Sequence, residues 1–277
     1  DLYLGDTARL PYGSKSADTV TRYAVQAARA LSGYQPKLLV VACNTASAVA
    51  LPALRAALSP VPVVGVIEPG ARAAVAAAPS GRIAVIATEG TVAGGAYVRA
   101  IQALMPEAAV TQRACPLFVA LAEEGLTDGP IAELAVNRYL EPLLQAVPQP
   151  ECLVLGCTHF PALANTIGRV AGAGLPLVDS AATTAEAVEA LLREHKLARE
   201  IGVRTLTAVT RADERLDDRV GRLQRRAPQI LSERALAIDF DEWPVAQQKY
   251  SFLLNDAGGI EDELHEFLSL PEVVASG

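Results

Sequence analysis

Cysteine removes a proton from carbon only as its thiolate, so the placement of the four cysteines in this chain decides what chemistry it could do. Two of them stand in matching contexts. Leu38-Leu39-Val40-Val41-Ala42-Cys43-Asn44-Thr45 and Leu153-Val154-Leu155-Gly156-Cys157-Thr158-His159 each run from an apolar stretch through a small residue to cysteine, then to polar donors. Both cysteines fall where a buried strand hands over to a helix. Free backbone N–H groups at such a point favour the thiolate over a thiol of ordinary pKa, about 8.5, and also bind carboxylates. Inverting a stereocentre needs a base on one face of the carbon and an acid on the other, and two opposed thiols can exchange those roles. Each thiol then needs its own polar neighbours, both to tune it and to hold the shared substrate. Asn44 and Thr45 follow the first, Thr158 and His159 the second, and His159 is placed to polarise Cys157. Cys115, ahead of Pro116, and Cys152, at the start of a strand, read as small buried hydrophobes.

The elements that would carry these residues alternate along the chain. Apolar runs at 37–42, 61–66, 82–87, 152–156 and 175–178 predict buried strands of a parallel sheet. Stretches with helical apolar spacing and strong helix formers predict helices at 19–31, 46–58, 91–104, 116–124, 131–146, 162–171 and 184–194. This alternation predicts a doubly wound α/β architecture, in which ligands bind beyond the carboxyl ends of the strands. Pro11-Tyr12-Gly13 reads as a turn in which Tyr12 offers a hydroxyl and Gly13 allows close backbone approach. Glu123 and Glu124 read as a solvated helix end.

Composition narrows the class of partner. A formal charge of −7 over 277 residues argues against a broad phosphate-binding surface, because nucleic-acid affinity rests on clustered Lys and Arg. No apolar run approaches the roughly 20 residues of a membrane span, and the acidic start does not read as a signal peptide, so the expected location is cytoplasmic. Four cysteines without CxxC spacing make a disulfide framework, structural zinc and thioredoxin-type redox chemistry weak readings, which leaves free thiols acting on a small molecule.

Eight segments in order resemble the glutamate racemase family of the Asp/Glu racemase superfamily. They are Leu4-Gly5-Asp6-Thr7-Ala8-Arg9-Leu10-Pro11-Tyr12-Gly13, Val40-Val41-Ala42-Cys43-Asn44-Thr45-Ala46, Pro62-Val63-Val64-Gly65-Val66-Ile67-Glu68-Pro69-Gly70, Ala87-Thr88-Glu89-Gly90-Thr91, Cys115-Pro116-Leu117-Phe118-Val119, Glu123-Glu124-Gly125, Leu155-Gly156-Cys157-Thr158-His159-Phe160-Pro161 and Val178-Asp179-Ser180. Singly each is weak; their order and spacing together are specific. The resemblance implies two flavodoxin-like, doubly wound parallel-sheet domains related by pseudo-two-fold symmetry. The first would be 1–66 plus 179–210 and the second 67–178, with an atypical C-terminal tail at 211–277. It implies Cys43 and Cys157 as the proton-transfer bases, with His159 and Glu123 assisting the second. Tyr12, Gly13, Asn44, Thr45, Thr158 and His159 match substrate-clamping positions, and Thr88 and Thr91 lie where a further contact is often made. It implies glutamate as the small-molecule substrate, D-glutamate for peptidoglycan as the product, no metal and no pyridoxal or other cofactor, and a homodimer as the assembly to test for.

Competing readings are a racemase of the same superfamily acting on aspartate or a hydantoin, and a scaffold that binds an amino acid or a protein partner without turnover. A redox role for the cysteines is the third. Cys-Asn-Thr with Cys-Thr-His favours glutamate. After about residue 197 the character of the chain shifts towards Arg and Asp. There 203–209 and 215–225 resemble a loose closing strand and helix of the family. The stretch from Gln248 to Leu264 faintly resembles a hairpin of folate-dependent aminomethyltransferases, although a β-turn around Asn255 to Gly259 leading into a helix accounts for it more simply.

Members of the family open with a strand and an Asp-Ser-Gly turn, whose Asp supports the first cysteine and whose Ser helps hold the substrate. That pattern is not found in these 277 residues. The expectation is that they racemise feebly by themselves and that joining such an opening to them restores turnover. Strong racemase activity from the 277 residues alone would refute it.

Overall fold

A computed structural model describes residues 2–6, 9, 11–195, 197 and 207–209. The elements follow in the order β1 (Leu2–Leu4), α1 (Ala17–Ser32), β2 (Leu39–Val41), α2 (Asn44–Val49), α3 (Leu51–Leu58), β3 (Val63–Gly65) and α4 (Ile67–Ala77). They continue with β4 (Arg82–Ala87), α5 (Glu89–Gly94), α6 (Ala96–Leu104), β5 (Ala109–Ala114), α7 (Pro116–Glu123), α8 (Gly129–Leu144) and β6 (Cys152–Gly156). Last come α9 (Ala164–Ala171), β7 (Leu177–Asp179), α10 (Ser180–Glu194) and β8 (Thr207–Val209). Every strand pairing among the described residues is parallel: β1 with β8, β2 with β3, and the sheet β5-β4-β6-β7. This is the two-part α/β architecture that the alternation predicts.

The strands show why they are buried. In β4 and β6, successive side chains leave opposite faces of the sheet, and both faces are apolar. Ala84, Ile86, Leu153 and Leu155 join one core with Phe118, Val136 and Phe160. Ile83, Val85, Ala87 and Val154 join another with Ala71, Tyr97 and Ile101. A third core surrounds β2 and is built from Val20, Ala24, Leu31, Leu39, Val41 and Leu54, with Ala185 and Val188 of α10 returning to it from far along the chain.

The structure departs from the sequence reading at identifiable residues. The helix expected over 46–58 is two helices, since Ala50 ends α2 and Pro52 opens α3, where its missing N–H costs nothing. The helix expected over 91–104 is also two, divided at Gly95, whose φ of 59° is left-handed. Three further elements have no counterpart in the sequence reading: β1 near the start of the chain, β5 and α4. β5 is an edge strand whose Thr111, Gln112 and Arg113 hide its period, and α4 begins with Glu68-Pro69-Gly70, a turn-like string that a first helical turn tolerates. The strand expected within 203–209 is present as β8. The helix expected at 215–225, the turn around Asn255 and the rest of the tail lie outside the described residues.

Gly156 ends β6 where a side chain has no room. A Cβ there would come within 2.8 Å of the Ile86 carbonyl oxygen and 2.9 Å of Tyr97 Cε2. Gly156→Ala is therefore expected to destabilise the fold by about 1–3 kcal/mol through overpacking, read as a lower urea midpoint. Gly174 is the control, because a Cβ at that position would meet nothing within 4 Å, and Gly174→Ala should leave the midpoint unchanged.

Candidate active site

Cys43 is the residue between β2 and α2, and its backbone is still extended (φ −66°, ψ 122°). Its sulfur accepts the Ala46 N–H at 3.4 Å, the helix-start interaction expected to favour a thiolate. Ser47 fixes the same corner by donating to the Val41 carbonyl at 2.8 Å and accepting the Val66 N–H at 3.3 Å. Asn44 is buried, with Oδ1 bonded to Tyr97 and Nδ2 lacking any partner among the described residues.

Cys157 occupies the equivalent position after β6, but its surroundings differ from the expectation. No α-helix starts there. A 3-10 turn, Phe160–Leu163, follows, and the regular helix α9 begins only at Ala164. Phe160-Pro161 accounts for this, because a proline one residue into the turn and a large aromatic drawn into the core favour a short, tight segment. In place of a helix start, Cys157 Sγ lies 3.8 Å from His159 Nδ1, and His159 Nε2 lies 2.9 Å from Glu123 Oε1. With the Nε2 proton directed to the carboxylate, Nδ1 is the nitrogen that faces sulfur. His159 is buried, whereas the Glu123 side chain is 28% exposed. Glu123 is thus not merely a solvated helix end, while its neighbour Glu124 caps α7 and faces solvent. Thr158 Oγ1 is buried without a hydrogen-bond partner among the described residues.

The corner after β2 meets the corner after β4 along a seam of hydroxyls. Thr45 Oγ1 lies 2.9 Å from Thr88 Oγ1 and 3.4 Å from Thr91 Oγ1, and Thr88 and Thr91 are 3.0 Å apart. Thr88 also caps α5 by accepting the Thr91 N–H. Gly13 packs on this seam so closely that a Cβ would fall 2.7 Å from Thr88 Cβ. Tyr12 is nearby, yet its hydroxyl does not serve as a free donor. It is fully buried and bonded to the Asp6 carboxylate, which is also buried and 3.8 Å from Arg9 Nε. The structure thus brings Gly13, Asn44, Thr45, Thr88 and Thr91 together at one seam and joins Glu123, His159 and Cys157 in one line.

Cys115, which shares a core with Cys157 and feels its charge, and Cys152 are the remaining thiols. Burial pushes each thiol up to about 12, so at neutral pH both are uncharged core residues. The sequence reading missed Tyr97 and gave Asp6 no role of its own. The available signal for Tyr97 was a lone phenol in the small-residue run Gly94-Gly95-Ala96. Among the described residues no helix is long and apolar enough to cross a membrane.

Comparisons with known proteins agree with this geometry. Residues 3–188 match the Asp/Glu/Hydantoin racemase family. The chain is 55% identical over 198 residues to the glutamate racemase of Geobacter metallireducens, covering 72% of each chain. It is 47% identical over 190 residues to that of Lactiplantibacillus plantarum, covering 69% of this chain and 68% of the relative. Among solved structures, glutamate racemase isoform RacE1 from Bacillus anthracis superposes with a TM-score of 0.74 at 33% identity, over 86% of both chains. The glutamate racemase of Francisella tularensis in complex with D-glutamate superposes with a TM-score of 0.70 at 31% identity, over 76% of this chain and 78% of that one. With most of its described residues inside these matches and both cysteine corners among them, the chain belongs to the Asp/Glu/hydantoin racemase family, within its glutamate racemases.

Proposed function

We propose that the protein interconverts L- and D-glutamate by moving one proton between two cysteines, with no cofactor, and so supplies D-glutamate for peptidoglycan. The observation that carries the reading is the line Glu123–His159–Cys157, set at the end of β6 as Cys43 is set at the end of β2. In one direction the thiolate of one cysteine takes the α-proton, and the thiol of the other delivers a proton to the opposite face of the carbon. The first is left as thiol and the second as thiolate, and the reverse reaction exchanges the roles. His159 relays the charge at Cys157, since an imidazole that gains a proton from sulfur is stabilised by the Glu123 carboxylate behind it. At Cys43 the Ala46 N–H takes that part.

A glutamate carboxylate accepts hydrogen bonds only, and two buried groups at the site can donate one without breaking an existing bond: Asn44 Nδ2 and Thr158 Oγ1. The hydroxyls of Thr45, Thr88 and Thr91 and the backbone at Gly13 complete the clamp. Tyr12 contributes by position, its hydroxyl being engaged by Asp6 rather than offered to the substrate. The same reading divides the chain into a first unit of 1–66 with 179–210 and a second of 67–178, as the separate cores around β2 and β4 suggest. It also takes in a cytoplasmic homodimer.

The test is an assay of both enantiomers of glutamate and of aspartate in heavy water. Glutamate should racemise with deuterium entering at the α-carbon. Racemisation of aspartate but not glutamate would overturn the substrate, and glutamate binding without exchange would leave only a scaffold. Cys43→Ala and Cys157→Ala should each abolish inversion while preserving slow exchange from one face; inversion persisting in either variant would end the two-base mechanism.

The relay has its own measurement. Glu123→Gln keeps an acceptor for Nε2 but removes the charge that stabilises imidazolium, so kcat should fall on the order of 100-fold with little change in KM. An unchanged kcat would remove Glu123 from the mechanism.

A further inference from the structure

Tyr97 takes no part in the proton transfer, yet it stands where the two corners meet. It lies in α6 and is fully buried, which is unfavourable for a phenol unless its hydroxyl is paired. That hydroxyl donates to Asn44 Oδ1 at 2.8 Å, and the Ser180 side chain adjoins it. Two glycines make room for the ring. A Cβ on Gly70 would come within 3.2 Å of the hydroxyl, and one on Gly156 within 2.9 Å of Cε2. The phenol is therefore held between the residue after Cys43 and the residue before Cys157. Burial raises its pKa well above the ordinary tyrosine value, and the neighbouring Cys157 adds to the rise, so it remains a protonated donor at neutral pH.

An amide side chain has an accepting end and a donating end, and its partners decide which way it points. Oδ1 of Asn44 is occupied by Tyr97, which leaves Nδ2 as the outstanding, buried and unpartnered group. A reversed amide would present oxygen to a carboxylate and repel it. Building on the reading that Asn44 helps clamp the amino acid, we propose that Tyr97 is a positioning residue. Its hydroxyl fixes the Asn44 amide in the one orientation that offers Nδ2 to a substrate carboxylate.

Tyr97→Phe keeps the ring between its glycines and removes only the hydroxyl. We expect KM for both enantiomers of glutamate, and the calorimetric Kd, to rise about five-fold, the loss of one ordinary hydrogen bond, with kcat within about two-fold of the parent. The double variant with Asn44→Ala separates positioning from packing. Once Asn44 is gone, removing the hydroxyl should raise KM and Kd no further. An unchanged KM and Kd in Tyr97→Phe overturns the proposal, as does an equal rise in the Asn44→Ala background. A fall in kcat and melting temperature at constant KM does so too, since it marks a purely structural role. Failure of the unaltered protein to bind glutamate at all would instead defeat the functional reading, and this inference with it; normal racemisation with an unresponsive Tyr97→Phe defeats only the inference.

Discussion

Polar groups sealed between two apolar cores are tolerated only when they are paired, and the rest of this molecule is arranged around that constraint. Thr45 belongs to the corner after β2, while Thr88 and Thr91 belong to the corner after β4, and their three hydroxyls satisfy one another where the halves touch. Tyr97 and Asn44 form a second tie of the same kind. The cores on either side are built mainly from apolar side chains on strand and helix faces, and Tyr97 is itself part of one of them. What the seam does is tie the corner after β2, which carries Cys43, to the corner after β4. Against this background Asn44 Nδ2 and Thr158 Oγ1 stand out as buried polar atoms left unpaired beside the two cysteines.

The two thiols have different surroundings. Cys43 sits at the first turn of α2, where a backbone N–H points at sulfur. Cys157 has no such helix start and relies instead on an imidazole backed by a carboxylate. Quasi-symmetric strand ends thus carry asymmetric support, which is reasonable for a substrate whose two faces are not equivalent. Cys115 and Cys152 show the alternative outcome for cysteine in the same fold, where burial without such partners pushes the thiol up and makes it inert.

Much of this was legible in the residues because the signals are local. The apolar runs that became β4 and β6 coincide with the strands residue for residue, since a strand buried on both faces has no polar interruptions to blur its ends. The paired Cys corners were legible for the same reason. What the sequence concealed depends on contacts distant along the chain. The Glu123–His159 bond spans 36 positions and the Tyr97–Asn44 bond 53, and no local pattern announces either. β5 was hidden by its polar edge residues. The break at Ala50 was hidden because alanine suits a helix interior, whereas Pro52 and Gly94-Gly95 were local signals that the helical spacing around them outweighed in the reading.

The division at Gly95 has a mechanical meaning. Thr88, Thr91 and Tyr97, the groups that reach across to Thr45 and Asn44, all sit on the short stretch formed by α5 and α6 and its left-handed hinge. They therefore act as one clasp. Both cysteines are buried. Any separation of the corner after β2 from the stretch that carries α5 and α6 would break these bonds as a set rather than one by one, as unfastening a buckle does.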